Sequence, residues 1–375
     1  MMKRVTALFL AASLAFSLVG CSSGNTGNAS KEADPGNVSS DAASDAPVPE
    51  TGKKYSVKMS HHPYIHALPS YYADQAGIYS EVFQDYTIDM YTNGPVQNEA
   101  IASGSWEVGT TGLAGLVLGA VGYNLKAIGV GPADDKTTDI WVRPDSPLAQ
   151  CEPDENGVRG TAQDWKGLTF LCASGNLSEL VLGHALEYHG LTANDITMVN
   201  TDSANSFTAF KAGEGDVTCL VSPYGYSAEE QGWVKICSSA DLGMYLPTII
   251  CATEDAINNN PEMVQTWLET FVDAGGYLRA NPEEAASMYE AFSIGEGINV
   301  TPEECKKEVE NRPFPTLEEQ VEVCTPGEDG KCKMEQTLLE YAHFMMTLGK
   351  ISEEDYKYLC ENPMVDTSFM LNIEK

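Results

Sequence analysis

The chain has 375 residues, of which 54 are Asp or Glu and only 22 are Lys or Arg, so its formal net charge is -32. A protein this acidic repels phosphate backbones and anionic lipid surfaces, which excludes nucleic acid as a binding partner. The length suits one large or two medium-sized domains.

Residues 1–20 predict an export signal peptide. Two basic residues precede an apolar run over residues 5–19, and Cys21 follows that run after a glycine. This order of charged, apolar and small residues is typical of secretion signals. A cysteine directly after the small residue resembles a bacterial lipobox, in which Cys21 is diacylated and becomes the new amino terminus. The alternatives are an ordinary secretion signal with a chance cysteine, or one membrane-spanning helix, for which the apolar run is short.

Residues 21–53 predict a flexible tether between the lipid and a globular body. The segment consists of Ser, Gly, Asn, Ala, Asp and Pro, with almost no large apolar residue. Such a sequence cannot bury enough apolar surface to offset the entropy of ordering. A lipid anchor, a tether and a globular body together predict a protein attached to the extracytoplasmic face of the cell membrane.

The body, from residue 54 onward, alternates short β-rich runs with helical stretches, which predicts an α/β fold with mainly parallel sheets. The carboxyl-terminal third is expected to be helical apart from a polar insertion over residues 295–333. Strands are predicted at 55–59, 85–91, 106–109, 125–130, 139–145, 168–173, 196–200, 217–221, 233–236 and 248–252. Helices are predicted at 68–79, 97–103, 112–122 and 177–186, and Asn-Pro pairs at 260–261 and 281–282 predict two further helix starts.

The chain contains 10 cysteines. Because Cys21 is assigned to lipid, the number left is odd, and at least one free thiol is expected. Cys324 and Cys332 flank a Pro-Gly-Glu-Asp-Gly turn and are the pair most readily joined, with Cys305 expected nearby. A zinc site is the alternative there, although no Cys-x-x-Cys spacing supports it. Cysteines within apolar strands are expected to be small buried hydrophobes: Cys172, Cys219 and Cys251.

Several segments resemble, in their order and spacing, the solute-binding proteins of the sulfonate, taurine, nitrate and thiamine-pyrimidine uptake family. The resemblance covers residues 55–290. It departs from the family at Trp165, at an apparent insertion over 151–160 and at residues 295–333. The segments that carry the resemblance are Pro69–Tyr79, Glu99–Gly109, Val142–Pro147 with Asp164–Leu168 after it, Ala209–Val217, and Ser222-Pro223-Tyr224.

The resemblance implies a type II periplasmic-binding-protein fold, in which two crossover strands join two lobes and a ligand lies in the cleft. Lobe one is expected to comprise residues 54–142 and 248–375, and lobe two residues 143–247. The implied function is the solute-binding component of an ABC importer, whose partners are a small solute and the permease subunits in the membrane. A monomer that uses no cofactor and catalyses no reaction is expected.

Two other functions stay open. Enzymes of pyrimidine synthesis share this fold, and Cys172 or a loop histidine is a candidate reactive group. However, no nucleophile, base and orienting residue are evident together. The other alternative is a ligand-sensing module for a membrane receptor.

The ligand site is expected in the loops at the carboxyl ends of the strands, because ligands bind there in open α/β sheets. Hydroxyls and backbone amides at helix starts suit the oxygens of a sulfonate, carboxylate or nitrate. Thr111 and Ser174 have the alternative role of helix caps. The predicted ligand-binding residues are His61, His62, Tyr64, His66, Thr110, Thr111, Gly112, Ser174, Gly175, Asn176, Ser222 and Tyr224.

Three of these residues are histidines of a single loop, His61, His62 and His66. A metal site is not predicted, because no fourth ligand is identifiable. One or two of the histidines are expected to donate hydrogen bonds to the ligand while the others face solvent. Arg143 is either an anion clamp or part of a structural ion pair.

Overall fold

A computed structural model describes residues 55–373, which contain ten strands and sixteen α-helices. The predicted signal peptide, the Cys21 lipidation site and the tether lie outside the described residues. The strands are β1 Ser56–His61, β2 Asp85–Met90, β3 Val108–Thr111, β4 Lys126–Ala133, β5 Thr138–Val142, β6 Thr169–Cys172, β7 Thr197–Asn200, β8 Val217–Val221, β9 Val234–Ser238 and β10 Pro247–Ala252. The helices are α1 Leu68–Gln75, α2 Ile78–Val82, α3 Gly94–Glu99, α4 Leu113–Tyr123, α5 Ala162–Trp165, α6 Leu177–Tyr188, α7 Ser203–Lys211, α8 Tyr224–Glu230, α9 Glu254–Asn259, α10 Pro261–Ala280, α11 Pro282–Gly295, α12 Pro302–Asn311, α13 Leu317–Cys324, α14 Lys333–Thr347, α15 Glu353–Glu361 and α16 Ser368–Leu371.

The strands form two five-stranded sheets built on the same plan. The first sheet has the order β2-β1-β3-β10-β4 and the second has the order β7-β6-β8-β5-β9. In each sheet one strand, β10 or β5, is antiparallel to both of its neighbours, while the other strands share one direction. The sheets are therefore mixed and mainly parallel, as predicted.

The chain crosses from the first sheet to the second between β4 and β5, and it returns between β9 and β10. Strand β5 falls within residues 54–142, which the sequence predicts to be part of lobe one. In the structure this strand lies inside the second sheet. All five of its residues are buried, because it is hydrogen-bonded between β8 and β9. The first crossover therefore precedes Thr138 instead of following Val142.

Apolar patterning explains the central strands and the long helix. Every residue of β10 is buried, as expected of a strand whose sheet is covered on both faces. Helix α10 is amphipathic, and its buried residues recur at helical spacing from Met263 to Leu278. It begins at Pro261, where the Asn-Pro pair predicts a helix start. Within residues 55–373, none of the helices combines the length and the apolar character that crossing a membrane requires.

Two predicted elements differ in the structure. The single helix predicted over 68–79 is two helices, because Gly77 adopts a left-handed conformation with φ 75° that interrupts the helix. The polar insertion predicted over 295–333 contains two helices, α12 and α13. Helix α12 begins with a capping box between Thr301 and Glu304 and buries Glu308 despite its polar composition.

The described cysteines are all free thiols, so the predicted bond between Cys324 and Cys332 is wrong. Both thiols pack within the main apolar core, whereas Cys305 lies in a separate apolar cluster. Cys172, Cys219 and Cys251 are fully buried strand residues, as expected.

Candidate functional site

A cavity of about 240 Å³ lies among loops that belong to both sheets. Its walls come from the segments that follow β1, β3, β4, β6 and β8, from the start of β10 and from the end of α12. Carboxyl ends of parallel strands are the usual ligand positions in open α/β sheets. The lining residues are His62, Tyr64, His66, Gly112, Asp134, Asn176, Leu177, Val221, Ser222, Thr248 and Arg312.

The structure brings part of the predicted site to this cavity and places the rest elsewhere. The predicted residues that line it are His62, Tyr64, His66, Gly112, Asn176 and Ser222. The predicted residues that do not line it are His61, Thr110, Thr111, Ser174, Gly175 and Tyr224.

Thr110 lies beneath the cavity and holds two histidines. Its Oγ1 is 2.7 Å from Nδ1 of His61 and 2.7 Å from Nδ1 of His66. Because a hydroxyl has one proton, it can donate to only one of these Nδ1 atoms, so at least one of the two rings carries a proton on Nδ1. Thr110 therefore orients both rings.

Burial keeps the three loop histidines neutral. It lowers the pKa of His61 to about 3 and that of His62 to about 4, and it lowers the pKa of His66 well below the usual range. None of the three faces solvent, contrary to expectation. His61 is fully buried at the end of β1, and its ring stacks on Phe271 with 6.0 Å between centroids. The cavity wall therefore presents neutral imidazoles.

Two long helices begin at the cavity. Gly112 is the N-cap of α4 and supplies no side-chain cap, so the first amides of α4 lack that partner. Asn176 is the N-cap of α6, and its side chain accepts a hydrogen bond from the Ser178 amide. Neither Thr111 nor Ser174 has the alternative role of helix cap.

A buried, unpaired imidazole nitrogen also belongs to the cavity wall. His62 is 7% exposed, and its Nε2 has no hydrogen-bond partner among residues 55–373. An unsatisfied buried polar atom is costly, so a bound acceptor or donor at this position would be stabilised.

The amides predicted before α6 are already occupied. The Ser174 amide donates to Asn200 Oδ1 over 2.9 Å, and the Gly175 amide donates to Glu179 Oε2 over 2.5 Å. The Ser174 hydroxyl also donates to Glu179. The Asn200 side chain and the Glu179 carboxylate therefore take the hydrogen bonds that the sequence predicts for a ligand.

A cluster of charged residues forms the remaining wall. Arg312 Nη2 lies 3.0 Å from Asp134 Oδ1, and Arg312 Nη1 lies 2.8 Å from Glu308 Oε1. Glu308 also accepts hydrogen bonds from the Ser222 hydroxyl at 3.1 Å and the Tyr226 hydroxyl at 2.7 Å. This network joins α12 to the loop after β8 and to helix α8.

Comparison with known proteins places the chain in a family. The family model described as NMT1/THI5 like matches residues 65–285. The chain belongs to the NMT1/THI5-like family. As an NMT1/THI5-like protein it is 28% identical over 273 residues to a protein from Brachyspira hyodysenteriae named as an ABC transporter periplasmic binding protein, covering 72% of this chain and 78% of that protein.

A sequence and a crystal structure from Escherichia coli are also similar to this NMT1/THI5-like chain. A protein named as an aliphatic sulfonates-binding protein is 27% identical over 196 residues, which is 52% of this chain and 58% of that protein. The crystal structure of the periplasmic aliphatic sulphonate binding protein SsuA has a TM-score of 0.66 at 20% identity, covering 82% of this chain and 97% of that one. The two-sheet α/β fold is therefore that of SsuA.

The sequence does not predict the charged residues at the cavity wall. Arg312 and Glu308 lie in the segment predicted to be a polar insertion, beyond the residues matched by the NMT1/THI5-like family model. The Thr-Pro-Glu-Glu sequence at 301–304 is typical of a helix start. No pattern in the sequence indicates that the end of this helix reaches the cavity.

Two further residues singled out in the sequence, Arg143 and Tyr224, contact other protein groups and do not line the cavity. Arg143 donates hydrogen bonds to the Phe210 and Gly215 carbonyls and lies 4.1 Å from the centre of the Phe210 ring. Within residues 55–373, its guanidinium therefore bonds to backbone carbonyls and does not line the cavity. Tyr224 contacts Phe207 in an apolar cluster. Among residues 55–373, no group of three His, Cys, Asp or Glu side chains is positioned to hold a metal ion.

Proposed function

We propose that this NMT1/THI5-like protein is the extracytoplasmic solute-binding component of an ABC importer. It captures a small organic solute or anion, of the sulfonate, taurine, nitrate or pyrimidine type, and presents it to membrane permease subunits. The cavity that joins strand ends of both sheets carries this proposal. The names of the relatives from B. hyodysenteriae and E. coli support it.

In the proposed binding mode, an anionic group of the solute lies at the amino end of α4. The uncapped amides that follow Gly112 donate hydrogen bonds, and the helix dipole favours negative charge there. His62 supplies a further hydrogen bond through its unpaired nitrogen. Because the histidines are neutral, recognition depends on directed hydrogen bonds and less on net positive charge.

The proposed function is binding without chemical conversion. Cys172, the nucleophile of the enzymatic alternative, is fully buried at the end of β6 and does not line the cavity. His61, which stacks on Phe271, likewise does not line the cavity. The relatives described above are named as binding proteins, which favours the same interpretation.

The proposal includes anchoring of a monomer to the cell membrane through lipid on Cys21. The lipobox-like sequence before Cys21 and the polar tether after it support this part. A relative named as periplasmic supports an extracytoplasmic location.

The test pairs solute binding with two isosteric substitutions at Gly112. Thermal unfolding is measured with ethanesulfonate, taurine, nitrate and the thiamine pyrimidine. A solute present at a hundredfold excess over its dissociation constant is expected to stabilise the protein by about 2.7 kcal/mol. Gly112→Asp is expected to lower the affinity for an anionic solute at least about tenfold, since the carboxylate repels the solute and occupies the amides.

Gly112→Asn is the matched control. A Cβ atom at Gly112 would meet no atom within 4 Å, and both Asp and Asn are good helix N-caps, so both variants are expected to fold normally. Only the aspartate carries charge, and Asn is therefore expected to retain more anion binding. The absence of any shift with every compound contradicts the proposed solute classes, and equal binding by both variants contradicts the position at α4.

A further inference from the structure

Arg312 is the C-cap of α12 and lines the cavity, although it lies outside residues 65–285. It is 5% exposed, so its guanidinium is removed from water. A buried arginine therefore reaches the cavity from a segment beyond the residues that the family model matches.

One nitrogen of the guanidinium has no partner. Its Nη2 contacts Asp134 and its Nη1 contacts Glu308, whereas its Nε has no hydrogen-bond partner among the described residues. An acceptor at Nε would remove the cost of a buried unsatisfied donor.

The charges around Arg312 define which acceptor suits it. Two carboxylates, Asp134 and Glu308, face one guanidinium, so the cluster has no net positive charge when both are ionised. Burial raises the pKa of Asp134, and the positive charge of Arg312 opposes this shift. The nearby His62 and His66 are neutral. This end of the cavity therefore donates a hydrogen bond without attracting an anion.

We propose that Arg312 is a specificity-determining residue that donates a hydrogen bond from Nε to an uncharged acceptor of the solute. Carbonyl oxygens and ring nitrogens are the chemical groups that fit. The solute then has two polar ends, with its anionic group at α4 and its uncharged acceptor at Arg312. This inference rests on the proposed function.

Two sulfonates of matched length test the role of Arg312. N-acetyltaurine carries an amide carbonyl, and n-pentanesulfonate has the same chain length without an acceptor. The unsubstituted protein is expected to bind N-acetyltaurine about tenfold more tightly than n-pentanesulfonate, because one hydrogen bond to a charged donor contributes about that much to the affinity. Calorimetric titration of each compound measures this ratio.

Arg312→Lys and Arg312→Met are compared in the same titrations. Lysine keeps the positive charge beside Asp134 and Glu308 but lacks the Nε donor. Both variants are expected to lose the preference for N-acetyltaurine, measured in each variant as the ratio of its two dissociation constants. If the methionine variant does not fold, because it leaves two buried carboxylates unpaired, the lysine variant decides.

The outcomes separate the two proposals. A preference that survives in Arg312→Lys, or that is absent from the unsubstituted protein, overturns the role of Arg312 and leaves solute binding intact. Failure of the unsubstituted protein to bind either sulfonate overturns sulfonate capture, and the role of Arg312 falls with it.

Discussion

The hydroxyl of Thr110 connects β3 to the histidine loop. It bonds to both His61 and His66. Thr110 does not line the cavity, yet it orients the His66 ring, which does. Replacing this hydroxyl would leave two buried imidazole nitrogens without a partner. The position therefore controls the geometry of the site from beneath it.

Protonation of His61 is expected to make stability depend on pH. Its pKa is about 3 in the folded protein and about 6.5 in an unfolded chain. Below pH 6.5 the unfolded state therefore binds a proton that the folded state does not. The free energy of unfolding falls as pH decreases from 6.5 toward 3, by about 2 kcal/mol at pH 5 for this residue.

Comparison with His61→Gln isolates that contribution. Urea denaturation between pH 5 and 8 measures the free energy of unfolding. Its decrease toward pH 5 is expected to be smaller by about 2 kcal/mol in the variant. Glutamine retains a hydrogen-bonding group beside Thr110 and does not titrate. Parallel pH profiles for the two proteins would show that His61 titrates normally.

At the scale of single residues, the sequence predicts residues of the candidate cavity only where their position next to a strand places them there. His62, Gly112 and Asn176 directly follow predicted strands or precede predicted helices, so topology places them. Arg312 reaches the cavity through the packing of a distant helix, and short-range patterns carry no information about such packing. Ser174 does not line the cavity, and its amide and hydroxyl donate to Asn200 and Glu179 instead.

Helix α4 is held close to α3 by glycines. A Cβ atom on Gly94 would lie 2.6 Å from Gly115 Cα, and one on Gly115 would lie 2.2 Å from Thr111 Oγ1. These contacts leave no room for a methyl group. They hold the amino end of α4 at the cavity, where the first amides of the helix are needed.

Gly115→Ala and Gly122→Ala are expected to differ, although both lie in α4. The first is expected to destabilise the protein by about 1–3 kcal/mol, because backbone must shift to admit the methyl group. Nothing lies within 4 Å of a Cβ on Gly122, so that change is expected to be neutral or stabilising by up to about 1 kcal/mol. Urea denaturation measures both, and equal effects would contradict the tight packing of α3 on α4.

Among the larger elements, strands were predicted well because each is a short apolar run bounded by turn residues. Strand β8 has the predicted bounds 217–221, and β10 differs by one residue at its start. Helix α12 was missed because its buried face includes Glu308, whose burial is compensated by Arg312, Tyr226 and Ser222. A helix that buries paired charges resembles a solvated loop in composition.

Across the whole molecule, α12 links two parts of the fold. Its apolar side packs with Phe292 and Leu278 of the carboxyl-terminal helices, and its polar side bonds to the second sheet's helix α8. Lys307 also pairs with Glu229 at 2.9 Å, although both side chains are partly exposed. The buried contacts of Glu308 are therefore expected to contribute most of the stabilisation between α12 and α8.

The two lobes of a solute-binding protein are expected to close around a bound solute. Removing the Tyr226 hydroxyl tests whether its contact with Glu308 favours that closed arrangement. Tyr226→Phe leaves a Glu308 oxygen unpaired and is expected to weaken solute binding about tenfold, equivalent to about 1.4 kcal/mol. Small-angle scattering is expected to give a larger radius of gyration for this variant without solute. Lys307→Met removes only the exposed ion pair and is expected to change binding less than about threefold.

If Tyr226→Phe and Lys307→Met behave alike in both measurements, the buried hydrogen bond does not control closure.

Both ends of the described chain belong to the first sheet. Strand β1 lies within it, and Val365 near the carboxyl end bridges to Ala127 of β4. Fluorescent proteins fused to the two ends are consequently expected to stay with the first sheet, so that a closure of the two lobes around a solute would change the energy transfer between them little. A working biosensor built from this chain needs one of its fluorophores inserted in a surface turn of the second sheet.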